Sequence, residues 1–215
     1  MNWNETNPFG KVLFTNSNHQ ALGINDNGEV VGITLGTNGD AAEGYYLNAL
    51  GSASDFTSIL GDRYYPYAGI NNQNLTAGLR GDEASTLETG NTLPSPLGKL
   101  LPTDDISIAF GLNDLRQVVG KSGDKGFIYD PSTLALLDAN LLQLSGASFD
   151  SIIRINDINH NGSFVGIATI NGIEHGFIGT TAVPEPTSLG LVGIALLIAL
   201  ARKRLPRKLA SHRLL

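Results

Sequence analysis

LGINDNGEVVG, residues 22–32, is the stretch that decides the fold, because the chain repeats it. AGINNQNLTAG (68–78), FGLNDLRQVVG (110–120) and DINHNGSFVG (157–166) align with it without gaps over their shared length. The common asparagines, Asn25, Asn71, Asn113 and Asn159, are 46, 42 and 46 residues apart, and the closing glycines Gly32, Gly78, Gly120 and Gly166 keep the same intervals. Two landmarks in phase over four copies define a unit, and a period in the low to middle forties is that of one four-stranded supersecondary unit in an array.

Each unit reads as strand, turn, strand. Apolar residues precede the asparagine, and pairs such as Val30-Val31 or Val118-Val119 follow the turn. Asn27-Gly28 and Asn161-Gly162 tolerate positive φ, which predicts two-residue hairpin turns; Gln73-Asn74 and Leu115-Arg116 stand at the same places. A third strand follows in EGYYL from Glu43, KGFIYD from Lys125 and HGFIG from His175, with Tyr45, Phe127 and Phe177 at equivalent inward positions. The second copy has only EASTL from Glu83, without an aromatic, so that unit is expected to pack less well. The run-in KVLFTNSNHQALGIN resembles SILGDRYYPYAGIN and KLLPTDDISIAFGLN, whereas the fourth copy ends soon after HGFIG. The expectation is that residues near Lys11 to Leu22 complete the last unit and close a ring, which removes open sheet edges, with residues 1–9 as a loose lead-in. The fold class is therefore all-β: a repeat-built, propeller-like body of about four short antiparallel units over residues 1–181, followed by a C-terminal transmembrane-type helix within residues 182–215.

The pattern G-[IL]-N-x-x-x-x-V-V-G with its following G-[FY] strand resembles the HAF-type repeats of bacterial extracellular proteins, over residues 12–180. The name-giving His-Ala-Phe stands here as His175-Gly176-Phe177. The resemblance implies a β-rich, propeller-like body on an exported protein and carries over no catalytic residue.

Composition agrees with many short strands: 26 glycines among 215 residues and only 16% charged side chains leave little room for long solvated helices. There is no cysteine, so no disulfide framework, thiolate nucleophile or cysteine-bound zinc is available. All 20 acidic residues lie at or before Glu185, against eight basic ones in that span, giving −12; the last 14 positions hold the other six cations. A body so acidic repels phosphate backbones, so nucleic acid is not an expected partner.

The tail has its own logic. From Leu189 to Ala201 there are 13 residues of Leu, Ile, Val, Ala and Gly alone. As a helix they reach about 20 Å, short of a hydrocarbon core of about 30 Å unless Arg202 and Lys203 snorkel. No Lys or Arg lies between Arg154 and Arg202. The positive-inside rule then places the tail in the cytoplasm and the body outside the inner membrane. The opening MNWNETNPFGKVLF has no basic n-region or apolar core, so the expectation is a natural start further upstream. Val183-Pro184-Glu185-Pro186, an apolar run, and Arg202-Lys203-Arg204 together resemble a PEP-CTERM sorting signal. That resemblance implies an exosortase-type membrane protease as partner, membrane contact through residues 189–201, a Gram-negative-type envelope, and an association with exopolysaccharide or biofilm. Leu205–Leu215 extends past the point where such signals usually stop. The two prolines fix φ and lack N–H groups, so the motif is an extended peptide of the kind a protease groove binds.

Catalytic signatures are sparse. His19, His160, His175 and His212 form no zinc spacing, and no G-x-S-x-G elbow occurs. No catalytic residue, metal or cofactor is therefore assigned, and the expectation is a protein that is not an enzyme; a secreted hydrolase is the remaining enzymatic alternative. Asn25–Glu29, NDNGE, has the look of a calcium loop, but the other copies lose its acidic positions, which favours a turn. Tyr64, Tyr65 and Tyr67 cluster beside Pro66 and are the candidates for stacking on sugar rings, with a packed loop plug as the competing reading. A carbohydrate- or calcium-binding module is the alternative function.

Overall fold

The computed structural model describes residues 18–50, 52–56, 63–91, 93–142, 144 and 148–180. The chain divides into two units, Met1–Thr181 and Ala182–Leu215, and all described residues belong to the first. The expected sorting motif Val183–Pro186, the apolar run 189–201, the cluster Arg202–Arg204 and the lead-in 1–9 lie outside the described residues. Among the described residues no helix is long and apolar enough to cross a membrane.

The first unit is all-β. Sheet one holds β1 (His19–Ile24), β2 (Val30–Leu35), β3 (Ala41–Leu47) and β4 (Ala53–Asp55). Sheet two holds β5 (Tyr64–Tyr65), β6 (Leu75–Arg80), β7 (Glu83–Glu88) and β8 (Ser95–Gly98). Sheet three holds β9 (Ser107–Leu112), β10 (Val118–Ser122), β11 (Lys125–Asp130) and β12 (Ala135–Asp138), followed by a single 3-10 turn at Ala139–Leu141. Among the described residues sheet four has three strands, β13 (Ser151–Ile158), β14 (Ser163–Ile170) and β15 (Ile173–Thr180). Every sheet is an antiparallel meander, and each sequence repeat supplies one. None of the four sheets is itself closed.

Neighbouring side chains on one strand serve opposite neighbours. Val118 and Phe127 pack with Ala77, Ala84 and Ala109 between sheets two and three, while Val119 and Ile128 pack with Ile152, Ile155 and Phe164 between sheets three and four. Between sheets one and two lie Val31, Phe56, Tyr64, Ile70 and Leu87. A sheet covered on both faces needs apolar residues on both, and this is why β2, β6 and β10 are buried as runs, whereas β14, with Val165 exposed, alternates.

The repeat glycines have a steric cause. In the first strands a bulge recurs at Leu22, Phe110 and Asn156, each three residues before its asparagine. A Cβ on Gly32, Gly120 or Gly166 would collide with a carbonyl oxygen of the first strand, that of Gln20, Ile108 or Arg154. It would also meet the ring from the third strand, Phe127 Cζ at 2.8 Å for Gly120 and Phe177 Cε1 at 2.8 Å for Gly166. Gly78 faces the carbonyl of Tyr65 in the same way.

Three expectations are corrected. Residues His19 to Leu22 do not complete the last unit: they belong to β1, which pairs with β2 inside sheet one, because their phase relative to Asn25 is that of β9 relative to Asn113. Lys11 and the residues up to 17 lie outside the described ones. The second unit is not loosely packed: Leu75 to Leu79 are all buried, and Tyr64 from β5 brings a ring, edge-on to Phe56 at 5.6 Å, while Ser85 takes the aromatic position. Last, the turns are not two-residue hairpins, as the site geometry shows.

Candidate functional site

Each repeat asparagine closes its own turn in the same way. The Oδ1 of Asn25 accepts from the N–H groups of Asn27 (3.1 Å) and Glu29 (3.0 Å). That of Asn71 accepts from Gln73 and Leu75, that of Asn113 from Leu115 and Gln117, and that of Asn159 from Asn161 and Ser163, all at 2.9–3.0 Å. The backbone adds N–H of residue four to C=O of residue one, as in Gly28 to Asn25, and N–H of the asparagine to C=O of residue five, as in Asn25 to Glu29. The result is a three-residue loop built on a type I turn with one left-handed residue. That residue is Gly28, Asn74, Arg116 or Gly162, with φ of 77°, 62°, 63° and 77°. Only the second member of each expected pair has positive φ.

The same asparagines join the units. The amide of Asn25 donates to the carbonyl of Asn71 (3.1 Å), that of Asn71 to Asn113 (3.0 Å), and that of Asn113 to Asn159 (3.0 Å). Asn25, Asn71 and Asn113 are buried, and their two-sided bonding satisfies the polar groups that burial would otherwise leave unpaired. Asn159, at the end of the ladder, is exposed.

A second rail lies one residue on, at Asp26, Asn72, Asp114 and His160, which sequence reasoning did not single out as a set. The Oδ1 of Asn72 accepts from the N–H of Asp26 (2.8 Å), and its Nδ2 donates to the carboxylates of Asp26 (2.8 Å) and Asp114 (3.1 Å). The N–H of Asn72 donates to Asp114 (2.9 Å). Residues of the four turns line one open cavity of about 250 Å³, together with Ile24, Ile70, Leu112 and Ile158. The signal for this rim was present in the repeat phase: these are the residues directly after each repeat asparagine. What it offers chemically is a hydrogen-bonding mouth whose two carboxylates are already engaged by Asn72.

Other candidates fall elsewhere. Glu29 of the NDNGE stretch is 8% exposed and takes bonds from the Asn25 amide (2.6 Å) and the Tyr46 hydroxyl (2.5 Å). Burial opposes its ionisation, yet the bonds from Tyr46, Asn25 and Asn27 outweigh it and hold the carboxyl below its ordinary range. Its oxygens thus act inside the turn. Among the described residues no group of three or more His, Asp or Glu could hold a metal ion. Tyr64 is fully buried, its hydroxyl bonded to Thr76 at 2.8 Å, so its ring is core and not a sugar platform; burial pushes its phenol far up. Tyr65 and Tyr67 are half-buried and stack on each other at 5.8 Å.

Comparison with known protein families finds a match at the C-terminal end of the chain. Residues 182–204 carry a PEP-CTERM protein-sorting motif. The PEP-CTERM match spans the Pro-Glu-Pro residues, the apolar run and the Arg202-Lys203-Arg204 cluster, and it implies processing by exosortase, a membrane enzyme, on an exported or cell-envelope protein. No curated protein and no solved structure matches the chain.

Proposed function

We propose that residues 182–215 are a removable address read by an exosortase, and that the β-sheet body works outside the inner membrane as a non-enzymatic surface or matrix module. The PEP-CTERM match over residues 182–204 carries this reading. The charge split supports the orientation: six cations and no acid follow Ala201, so the tail stays cytoplasmic before processing while the acidic body crosses. A run of 13 apolar residues is a marginal span, which suits a segment to be cut better than a lasting anchor. On this reading the body is a propeller-like array of HAF-type repeats, held together by the asparagine ladder, and its contacts are with envelope exopolysaccharide of a Gram-negative-type cell.

The test is a signal-bearing form of the chain expressed with and without an exosortase. Glu185→Ala, or deletion of Val183–Leu215, is expected to abolish a mass loss that depends on the exosortase and to redirect the body away from the surface. Surface delivery unchanged by the deletion would refute the reading.

A further inference from the structure

The rail that follows the repeat asparagines is regular over two rungs and breaks at the third. The N–H of Asp26 donates to the side chain of Asn72 at 2.8 Å, and the N–H of Asn72 donates to that of Asp114 at 2.9 Å. The next N–H in the series is that of Asp114. The Asn113 turn has the same internal bonds as the two before it, so this N–H is directed at unit four as its counterparts are directed at units two and three. Unit four carries His160 there, with no side-chain oxygen, and the Asp114 N–H has no acceptor among the described residues. His160 is exposed, and its ring makes no hydrogen bond to the described residues.

Asp114 and His160 both line the open cavity of about 250 Å³, and so does Asp26. An ionised carboxylate has about four acceptor sites. Asp26 accepts one bond from Asn72 and Asp114 accepts two, so both keep sites to spare. Ile24 lines the same cavity and is 64% exposed, although its counterparts Ile70 and Ile158 are 8% and 4% exposed. Spare acceptors, unused donors and an exposed aliphatic side chain in one cavity discriminate between classes of ligand. A metal ion or an ammonium would satisfy the carboxylates but offer nothing to the Asp114 N–H or to Ile24. An anion would meet the N–H against the repulsion of two carboxylates on an acidic body. A hydroxyl donates and accepts at once, and a sugar ring joins several hydroxyls to an apolar C–H face.

We propose that this cavity binds one neutral sugar residue. Its hydroxyls donate to the carboxylates of Asp26 and Asp114 and accept from the Asp114 N–H and the His160 ring, while a C–H face lies on Ile24. The volume falls just short of the ~300–1,000 Å³ of drug-sized sites, which fits one ring and not a length of chain. The two carboxylates select against acidic sugars, since a second negative charge would be set against them. The proposal rests on the exopolysaccharide contact proposed above for the class of ligand, but not for its place on the molecule.

The test is a titration of the isotope-labelled full-length chain with the methyl glycosides of glucose, galactose and mannose, followed by amide chemical shifts. Glucuronic acid at neutral pH is the anionic control. At least one glycoside is expected to give saturable shifts in the millimolar range at Asp26, Asn72, Asp114 and His160. The turn after β2, at the opposite end of that strand, is expected to stay unchanged. Glucuronic acid is expected to bind at least five-fold more weakly. His160→Ala is expected to weaken binding about five-fold at an unchanged urea midpoint, because the ring is exposed and unbonded in the folded chain. Ile24→Thr, which keeps a β-branched residue on β1, is expected to weaken it about three-fold. Saturable shifts centred on Tyr65 and Tyr67 would overturn this site and leave the exopolysaccharide contact standing, whereas no saturable shift from any of the three glycosides would overturn both. Equal affinity for glucuronic acid, undiminished binding by His160→Ala, or loss of binding on adding EDTA, which would give the cavity to a divalent cation, would each overturn the site as well.

Discussion

Replacing Asn71 with alanine removes three hydrogen bonds from one buried side chain. Oδ1 loses the N–H groups of Gln73 (3.0 Å) and Leu75 (2.9 Å), and Nδ2 loses the carbonyl of Asn113 (3.0 Å). At about 1 kcal/mol net each, the loss is about 3 kcal/mol. The Asn113 carbonyl keeps a second donor in the N–H of Arg116, whereas the buried Leu75 N–H loses the Asn71 oxygen, which adds on the order of 1 kcal/mol. With a urea dependence of about 2 kcal/mol per molar, the unfolding midpoint should fall by roughly 1.5–2 M at unchanged slope. Urea titration followed by far-ultraviolet circular dichroism measures this. Asn159→Ala is the matched control: its two turn bonds lie at the surface, where water replaces them, and it should cost less than about 1 kcal/mol. Asn71→Asp separates the two roles, because it keeps the turn acceptor and sets a carboxylate against the Asn113 carbonyl. It should be nearly as damaging as alanine at neutral pH and partly recover in acid, where a protonated carboxyl donates. A midpoint shift under about 0.5 M for Asn71→Ala, or equal shifts at Asn71 and Asn159, would refute the view that the ladder bonds hold neighbouring units together.

Glycines of two kinds should respond differently. Gly120→Ala drives a methyl into the Ile108 carbonyl and the Phe127 ring and should cost more than about 3 kcal/mol by urea unfolding, whereas Gly28→Ala, with φ of 77° and open space around it, should cost only about 1–2 kcal/mol of backbone strain. Burial raises the Tyr64 phenol above its ordinary value of 10.0, so the unfolded chain ionises first. Stability should hold below pH about 10 and fall as pH rises beyond it, and thermal melts of Tyr64→Phe should show a smaller alkaline loss. Glu29 has the opposite sign: its carboxyl is depressed below 4.5, so its contribution is present above that pH and is lost as pH falls through the lower folded value. Glu29→Gln should flatten the acid limb of a Tm–pH profile; an unchanged limb would remove Glu29 as a contributor.

Much of the site was legible because its chemistry is local. An asparagine followed by residues that bond back to it at two and four positions is a turn whatever surrounds it, and four such turns in phase announce four units. The sorting motif is legible for the same reason, since proline stiffness, apolar length and charge order are properties of a continuous segment. The turn type was not legible: Leu115-Arg116 gives no sign that Arg116 takes positive φ, which the flanking ladder imposes.

The sequence by itself determined the period, the all-β class, the place of each turn and the polarity of the tail, all of which follow from residues near one another in the chain. Only the tertiary structure decided what each asparagine amide meets 42 to 46 residues away, and that Tyr64 is core while the Asp26, Asn72, Asp114 and His160 turns share one mouth. Those outcomes depend on which faces of successive sheets are pressed together. A strand's own pattern marks a residue as apolar or polar, but it takes the neighbouring sheet to bury it.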